Sequence, residues 1–305
     1  MYPDQHNRSA LLRPHRLWFS RLGWALFAQM SSMLAVQLLV IYAAPDLLAH
    51  PASRWCVSVG SIYGVGTPAF CLALRHIPAP PAGPRRPMSP WSVGKLYMTA
   101  LGLVYLANYL TLAITWLIEW LPGGTVTNPV DSLAAYPTVL NLLLGCVIAP
   151  VSEEFLFRKL LLDRLRPYGD KFAILASALC FGLFHGNLSQ FFYAFAVGAL
   201  FAYVVLRTGC LWQTMLLHAL VNGTSLILVP LLEGAGQAGQ LLLSVLVAGA
   251  IAAALAVLVA GRRMVQLDPG NVCLPERWKW QGFFSNPGVC LFCLLALALA
   301  AGYLS

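Results

Sequence analysis

Charge is what this chain has least of. Asp and Glu number 11 and Lys and Arg 19 in 305 residues, 10% of the sequence, where a soluble domain carries about 25%. So few ionised groups cannot clothe a globule of this size in water, and a water-soluble fold is excluded. Two other things are missing: a polar stretch long enough to fold on its own, and an internal repeat. One membrane domain over 1–305 is therefore expected. In their place are long apolar runs, at about 22–44, 55–74, 96–121, 137–157, 172–186, 189–206, 211–232, 240–260 and 288–304, of the kind that cross a bilayer. The fold expected is all-α, a polytopic membrane helix bundle of about eight or nine transmembrane helices. The first run is too long for a signal-peptide core and is read as a retained span.

The net charge of +8 follows topology rather than a nucleic-acid partner, which is not expected. With the N-terminus cytoplasmic and sides alternating, Arg8, Arg13, Arg16, Arg21, Arg75, Arg85, Arg86 and Lys95 lie inside. So do Arg158, Lys159, Arg164, Arg166, Lys171, Arg207, Arg262, Arg263, Arg277 and Lys279. Arg54 alone of the 19 basic residues falls outside, in keeping with the positive-inside rule, while Asp46, Glu119, Asp131 and Glu233 lie opposite the basic loops. The bilayer and its anionic headgroups are the partners this implies. The eight cysteines sit mostly in or beside apolar runs and are read as small hydrophobes, Cys290 and Cys293 included. The proline-rich stretch 77–90 reads as an extended cytoplasmic linker. The polar stretch 262–287 reads as an interfacial loop with Trp278 and Trp280 at headgroup level.

Ionisable groups inside apolar helices are the functional signal, because each costs roughly 2.5–3.5 kcal/mol at mid-bilayer on insertion scales. The block from 137 to 232 concentrates them and is the expected catalytic core, with 22–121 and 240–304 as flanking helices. In Val151-Ser-Glu-Glu-Phe-Leu-Phe-Arg158, Glu154 and Arg158 stand four apart in the favourable order for an ion pair. Glu153 is turned about 100° away from its neighbour and is free to face the bundle interior. Phe181-Gly-Leu-Phe-His185 and His218-Ala-Leu-Val-Asn222 follow on two later runs. The second of these places an imidazole and an amide on one helix face, where both need partners within the bundle.

Taken together and in this order, Glu-Glu-x3-Arg, Phe-x3-His and His-x3-Asn resemble the CAAX-protease and bacteriocin-processing family of intramembrane glutamate endopeptidases, related to the CAAX prenyl endopeptidases. The resemblance covers about a third of the chain. It implies a hydrolase acting on a membrane-associated peptide or protein, lipidated in some members. Glu153 would be the base on water and His185 would hold that water. His218 and Asn222 would be donors to the tetrahedral intermediate, and Glu154, Arg158 and Phe181 would support them. No cofactor is expected; were zinc bound, Glu153, His185 and His218 would be its ligands. The chain has no His-Glu-x2-His zinc motif, no Gly-x-Ser-Gly of rhomboid type and no Gly-x-Gly-Asp of presenilin type.

Depth sets a further condition. With Lys171 at the cytoplasmic surface, His185 lies about 21 Å along its helix, too far to meet Glu153 near the same surface. A helix that starts at about 167–171 outside the membrane and stops within it at 186–187 would reconcile the two. Two other functions stay open on sequence alone, a transporter with a proton relay and a catalytically silent scaffold of the same fold. The expected location is a multi-pass place in a membrane, the inner or plasma membrane if the source is bacterial.

Overall fold

The computed structural model describes residues 5–81, 83–121, 124–261 and 265–304. Arg262 and Arg263 of the topology reading lie outside them, as does the side chain of Arg8. The described chain is a bundle of ten helices: α1 (Gln5–Ala43), α2 (Pro51–Leu74), α3 (Pro90–Glu119), α4 (Thr138–Tyr168), α5 (Asp170–Phe184), α6 (Leu188–Thr208), α7 (Leu211–Gly234), α8 (Gly236–Gly261), α9 (Glu276–Phe284) and α10 (Pro287–Ala301). Short 3-10 turns at Pro45–Leu48 and Pro129–Ala135 join some of them.

Seven of the ten are long and apolar enough to cross a bilayer, and α9 with α10, bent by 70°, make an eighth if taken as one span. The nine expected runs reduce to this because two are short. α5 has 15 residues, about 22 Å at 1.5 Å per residue, against a hydrocarbon thickness of about 30 Å. It starts near Lys171 and ends at Phe184, and Gly186, with φ of +61°, turns the chain into α6. A left-handed residue there suits glycine alone at low cost.

Hydrogen bonds between loops sort the ends of the bundle. Arg164 Nε donates to the Ile77 carbonyl at 3.0 Å and Arg86 N–H to the Thr208 carbonyl at 2.6 Å. The backbone of Met88 is clamped by both ends of the Gln213 amide, at 3.0 Å each. Asn271 and Val272 donate to Pro167, and Asp170 donates to Asp268. Trp18 of α1 reaches the Arg164 carbonyl at 3.1 Å. The N-terminal part of α1 therefore lies at the same end as the basic loops. At the opposite end Thr127 donates to Tyr303 at 2.9 Å. This is the sorting of sides that the charge pattern demands.

The stretch 262–287 departs from expectation. Residues 276–284 form the helix α9 in place of the loop expected there, with Trp278 and Phe283 buried and Phe284 exposed. Trp280 packs on Phe172 at 4.8 Å and stacks on Phe284 at 5.8 Å. Burying aromatic area against the α1–α5 core stabilises more than leaving it at the interface. By contrast, residues 78–81 and 83–89 are irregular and extended, as prolines dictate. All eight cysteines are free.

α1 and α10 cross backbone to backbone. A Cβ on Gly288 would lie 2.0 Å from the Ser20 carbonyl oxygen, and one on Gly23 would lie 2.2 Å from the Val289 nitrogen. Small residues let membrane helices approach this closely. Gly288→Ala is therefore expected to destabilise by about 1–3 kcal/mol, the cost of overpacking a tight contact, read as a lowered unfolding midpoint in detergent. An unchanged midpoint would mean that the crossing is looser than described.

Candidate active site

Proline shapes the helices that carry the site. In α4, Pro150 has no N–H, and the preceding Ala149 N–H bonds back five residues, to Leu144, in a π turn spanning Leu144–Ile148. The Gly145 carbonyl is thereby left without a helical donor. Asn222 of α7 supplies one, its Nδ2 donating at 2.8 Å. α2 and α7 repeat the device. Thr67 before Pro68 bonds to Ile62, and Val229 before Pro230 bonds to Thr224, closing π turns at Gly60–Gly66 and Thr224–Leu228. A further π turn, Phe155–Leu161, follows the two glutamates directly. Each π turn rotates the residues after it relative to those before. In this way apolar spans aim polar side chains inward.

Glu153 is 6% exposed and Glu154 and Arg158 are wholly buried. Arg158 Nε lies 3.3 Å from Glu154 Oε2. The other oxygen of Glu154, Oε1, lies 3.2 Å from His218 Nδ1. On the far side of the same imidazole, Nε2 lies 3.9 Å from Glu153 Oε2. The two adjacent carboxylates thus grip one ring from opposite edges. Their offset of one residue on a helix makes this geometry available.

Phe181 is the hub. Its ring centroid is 5.0 Å from that of His185 and 6.1 Å from that of His218, both edge-on, and 4.6 Å from the Arg158 guanidinium carbon. The three sequence motifs therefore meet around one phenyl ring. His185, at the end of α5, places Nδ1 2.9 Å from the Phe181 carbonyl. Asn187, the residue that caps α6, reaches the His185 carbonyl at 2.7 Å, which fixes the turn that carries the histidine.

Two findings add to the sequence reading. Glu154, expected to serve Arg158, also holds His218. And Glu153 has a partner far outside the 137–232 block: Tyr63 of α2 donates its hydroxyl to Glu153 Oε1 at 2.6 Å. A phenol set in an apolar span beside Pro68 was the available signal, since its O–H needs a partner there. Among the described residues, no three His, Cys, Asp or Glu side chains are grouped as a metal site requires.

Residues 135–224 match the family model described as type II CAAX prenyl endopeptidase Rce1-like. YdiL of Bacillus subtilis (strain 168), a proposed membrane peptidase, is 30% identical over 93 residues, which are 30% of this chain and 37% of that protein. The match thus spans well under half of that relative. No solved structure matches the chain. The matched residues hold both glutamates, Arg158, Phe181, His185, His218 and Asn222, and Tyr63 lies outside them. Across residues 135–224, this multi-pass membrane protein is similar to the type II CAAX prenyl endopeptidase Rce1-like family.

Proposed function

We propose that the chain is an intramembrane endopeptidase in which Glu153 is the general base on a hydrolytic water. One observation carries this reading, the hold of both glutamates on His218, 3.2 Å from Glu154 and 3.9 Å from Glu153. A structural ion pair needs only one of the two carboxylates, and Arg158 already engages Glu154. The other carboxylate is left with a hydroxyl and an imidazole edge, the surroundings of a proton-transfer group.

The partners assign the nitrogens. A carbonyl only accepts, so His185 Nδ1 carries the proton toward Phe181, and Nε2 is left to accept from water. With Tyr63 on Oε1, Glu153 takes the water proton through Oε2, the oxygen nearer His218. The water oxygen attacks the peptide carbon, and the proton then passes from Glu153 to the leaving amine. The developing oxyanion is met by His218 Nε2–H and by the second amide hydrogen of Asn222, the first being spent on Gly145. When both nitrogens of His218 carry protons, Glu154 balances the ring's charge. This step uses no metal. The glutamate sits in a spanning helix, so the substrate is a peptide presented from the bilayer, membrane-embedded or lipidated.

Matched membranes holding wild type or Glu153→Gln test the reading. An uncleaved precursor should accumulate only with the variant, and identical peptide profiles would refute the peptidase assignment. Tyr63 gives a finer check. Tyr63→Phe is expected to slow cleavage about 10- to 100-fold and to lower the unfolding midpoint, since a hydrogen bond to a charged group contributes roughly 1.5–3 kcal/mol. An unchanged rate would reduce Tyr63 to a packing residue.

A further inference from the structure

At the end of the bundle that gathers the basic loops lies a cavity of about 280 Å³, which adjoins the carboxylate–imidazole cluster at Arg158. Arg86, Arg158, Lys159, Arg166 and Arg207 line it, against one carboxylate, Asp163. Lys159 pairs with that carboxylate at 2.7 Å and Arg158 with Glu154 at 3.3 Å, so the guanidinium groups of Arg86, Arg166 and Arg207 have no carboxylate partner among the described residues. The proline-rich linker forms one wall through Pro80, Pro81 and Pro84. That wall is held in place by the Arg86–Thr208 bond and the clamp of Gln213 on Met88. Like charges gathered on fixed backbone repel one another, and an anion among them relieves that repulsion.

Arg158 supplies the second, independent observation. It is wholly buried, yet Nε, Nη1 and Nη2 all have no hydrogen-bond partner among the described residues, the approach of Nε to Glu154 at 3.3 Å being an ion pair only. Leaving guanidinium donors unmade in a buried place is costly. The chemistry that satisfies several guanidinium forks at once is a phosphate, whose oxygens accept in bidentate fashion. A bare phosphate does not fill this volume, so the ligand carries a substituent.

We infer that this cavity is a binding site for a phosphate ester, supplied either by the headgroup of an anionic lipid or by a free phosphorylated small molecule. Basic pockets between transmembrane helices bind lipid headgroups through the same contacts. The inference stands apart from the peptidase reading, because it concerns binding and not turnover. Its consequence for that reading is that the ligand and Glu154 share one guanidinium.

The test uses the full chain in lipid nanodiscs, with thermal unfolding as the readout. One arm compares phosphatidylcholine discs with discs containing phosphatidylglycerol. The other adds sn-glycerol 3-phosphate to phosphatidylcholine discs at matched ionic strength. Each arm is repeated on Arg166→Gln/Arg207→Gln and on Arg75→Gln/Lys171→Gln, which removes equal charge from exposed positions outside the cavity. The midpoint is expected to rise by several degrees in one arm, for wild type and the second variant, and not for the first. A rise with the lipid identifies a headgroup, and a rise with the soluble ester identifies a free ligand. No rise in either arm, or an equal rise in all three proteins, would overturn the proposal.

Discussion

Arg158→Ala is expected to cost about 3–5 kcal/mol of stability, the penalty for removing one partner of a buried ion pair. Arg158 and Glu154 are both wholly buried, 3.3 Å apart. Alanine leaves the Glu154 carboxylate beside His218 without its cation and removes the charge resting on Phe181. Because charge and not shape is the main loss, the double variant Glu154→Gln/Arg158→Met should recover most of the stability. A buried pair replaced as a pair is often close to neutral. The double variant should still cleave poorly, since Glu154 no longer fixes His218. Unfolding midpoints of the wild type, Glu154→Gln, Arg158→Met and the double variant in one detergent decide the matter. Additive losses would show that the two side chains act independently.

Glu153→Gln is expected to lower kcat/KM by about 10²–10⁴, the range for loss of a general base, without loss of folded protein. The amide is isosteric, and its oxygen still accepts from Tyr63, so only basicity is removed. The rate is to be measured on the precursor that accumulates with this variant, and the unfolding midpoint alongside it. Glu154→Gln is the control that separates roles. It should lower stability more than Glu153→Gln and turnover less. The reverse ranking would exchange the assignments of the two glutamates.

Helical spacing made much of this legible in the sequence. Four-residue intervals tie Glu154 to Arg158, Phe181 to His185 and His218 to Asn222, and the cost of burying such groups says that they must converge. The sides of the bundle were legible for a similar reason, because basic residues resist translocation. Other features depend on details that periodicity does not carry. A period of 3.6 residues gives no warning of π turns, although Pro68, Pro150 and Pro230 each follow one closely. The contact of Tyr63 with Glu153 joins residues 90 apart in sequence, and no local pattern encodes it. α9 reads as loop in the sequence because a short polar stretch with two tryptophans carries no period that distinguishes a nine-residue helix from an interfacial loop. The shortness of α5 was foreshadowed by the depth mismatch between His185 and Glu153 rather than by hydropathy.

A single turnover in water enriched in ¹⁸O, with protein in excess over one cleaved peptide, tests the role of Glu153 most directly. If Glu153 removes a proton from the attacking water, the new carboxylate carries one ¹⁸O atom on the first turnover. An unlabelled first product would mean that the carboxylate itself attacked and donated its own oxygen, and the account of a base in a buried pocket would be wrong.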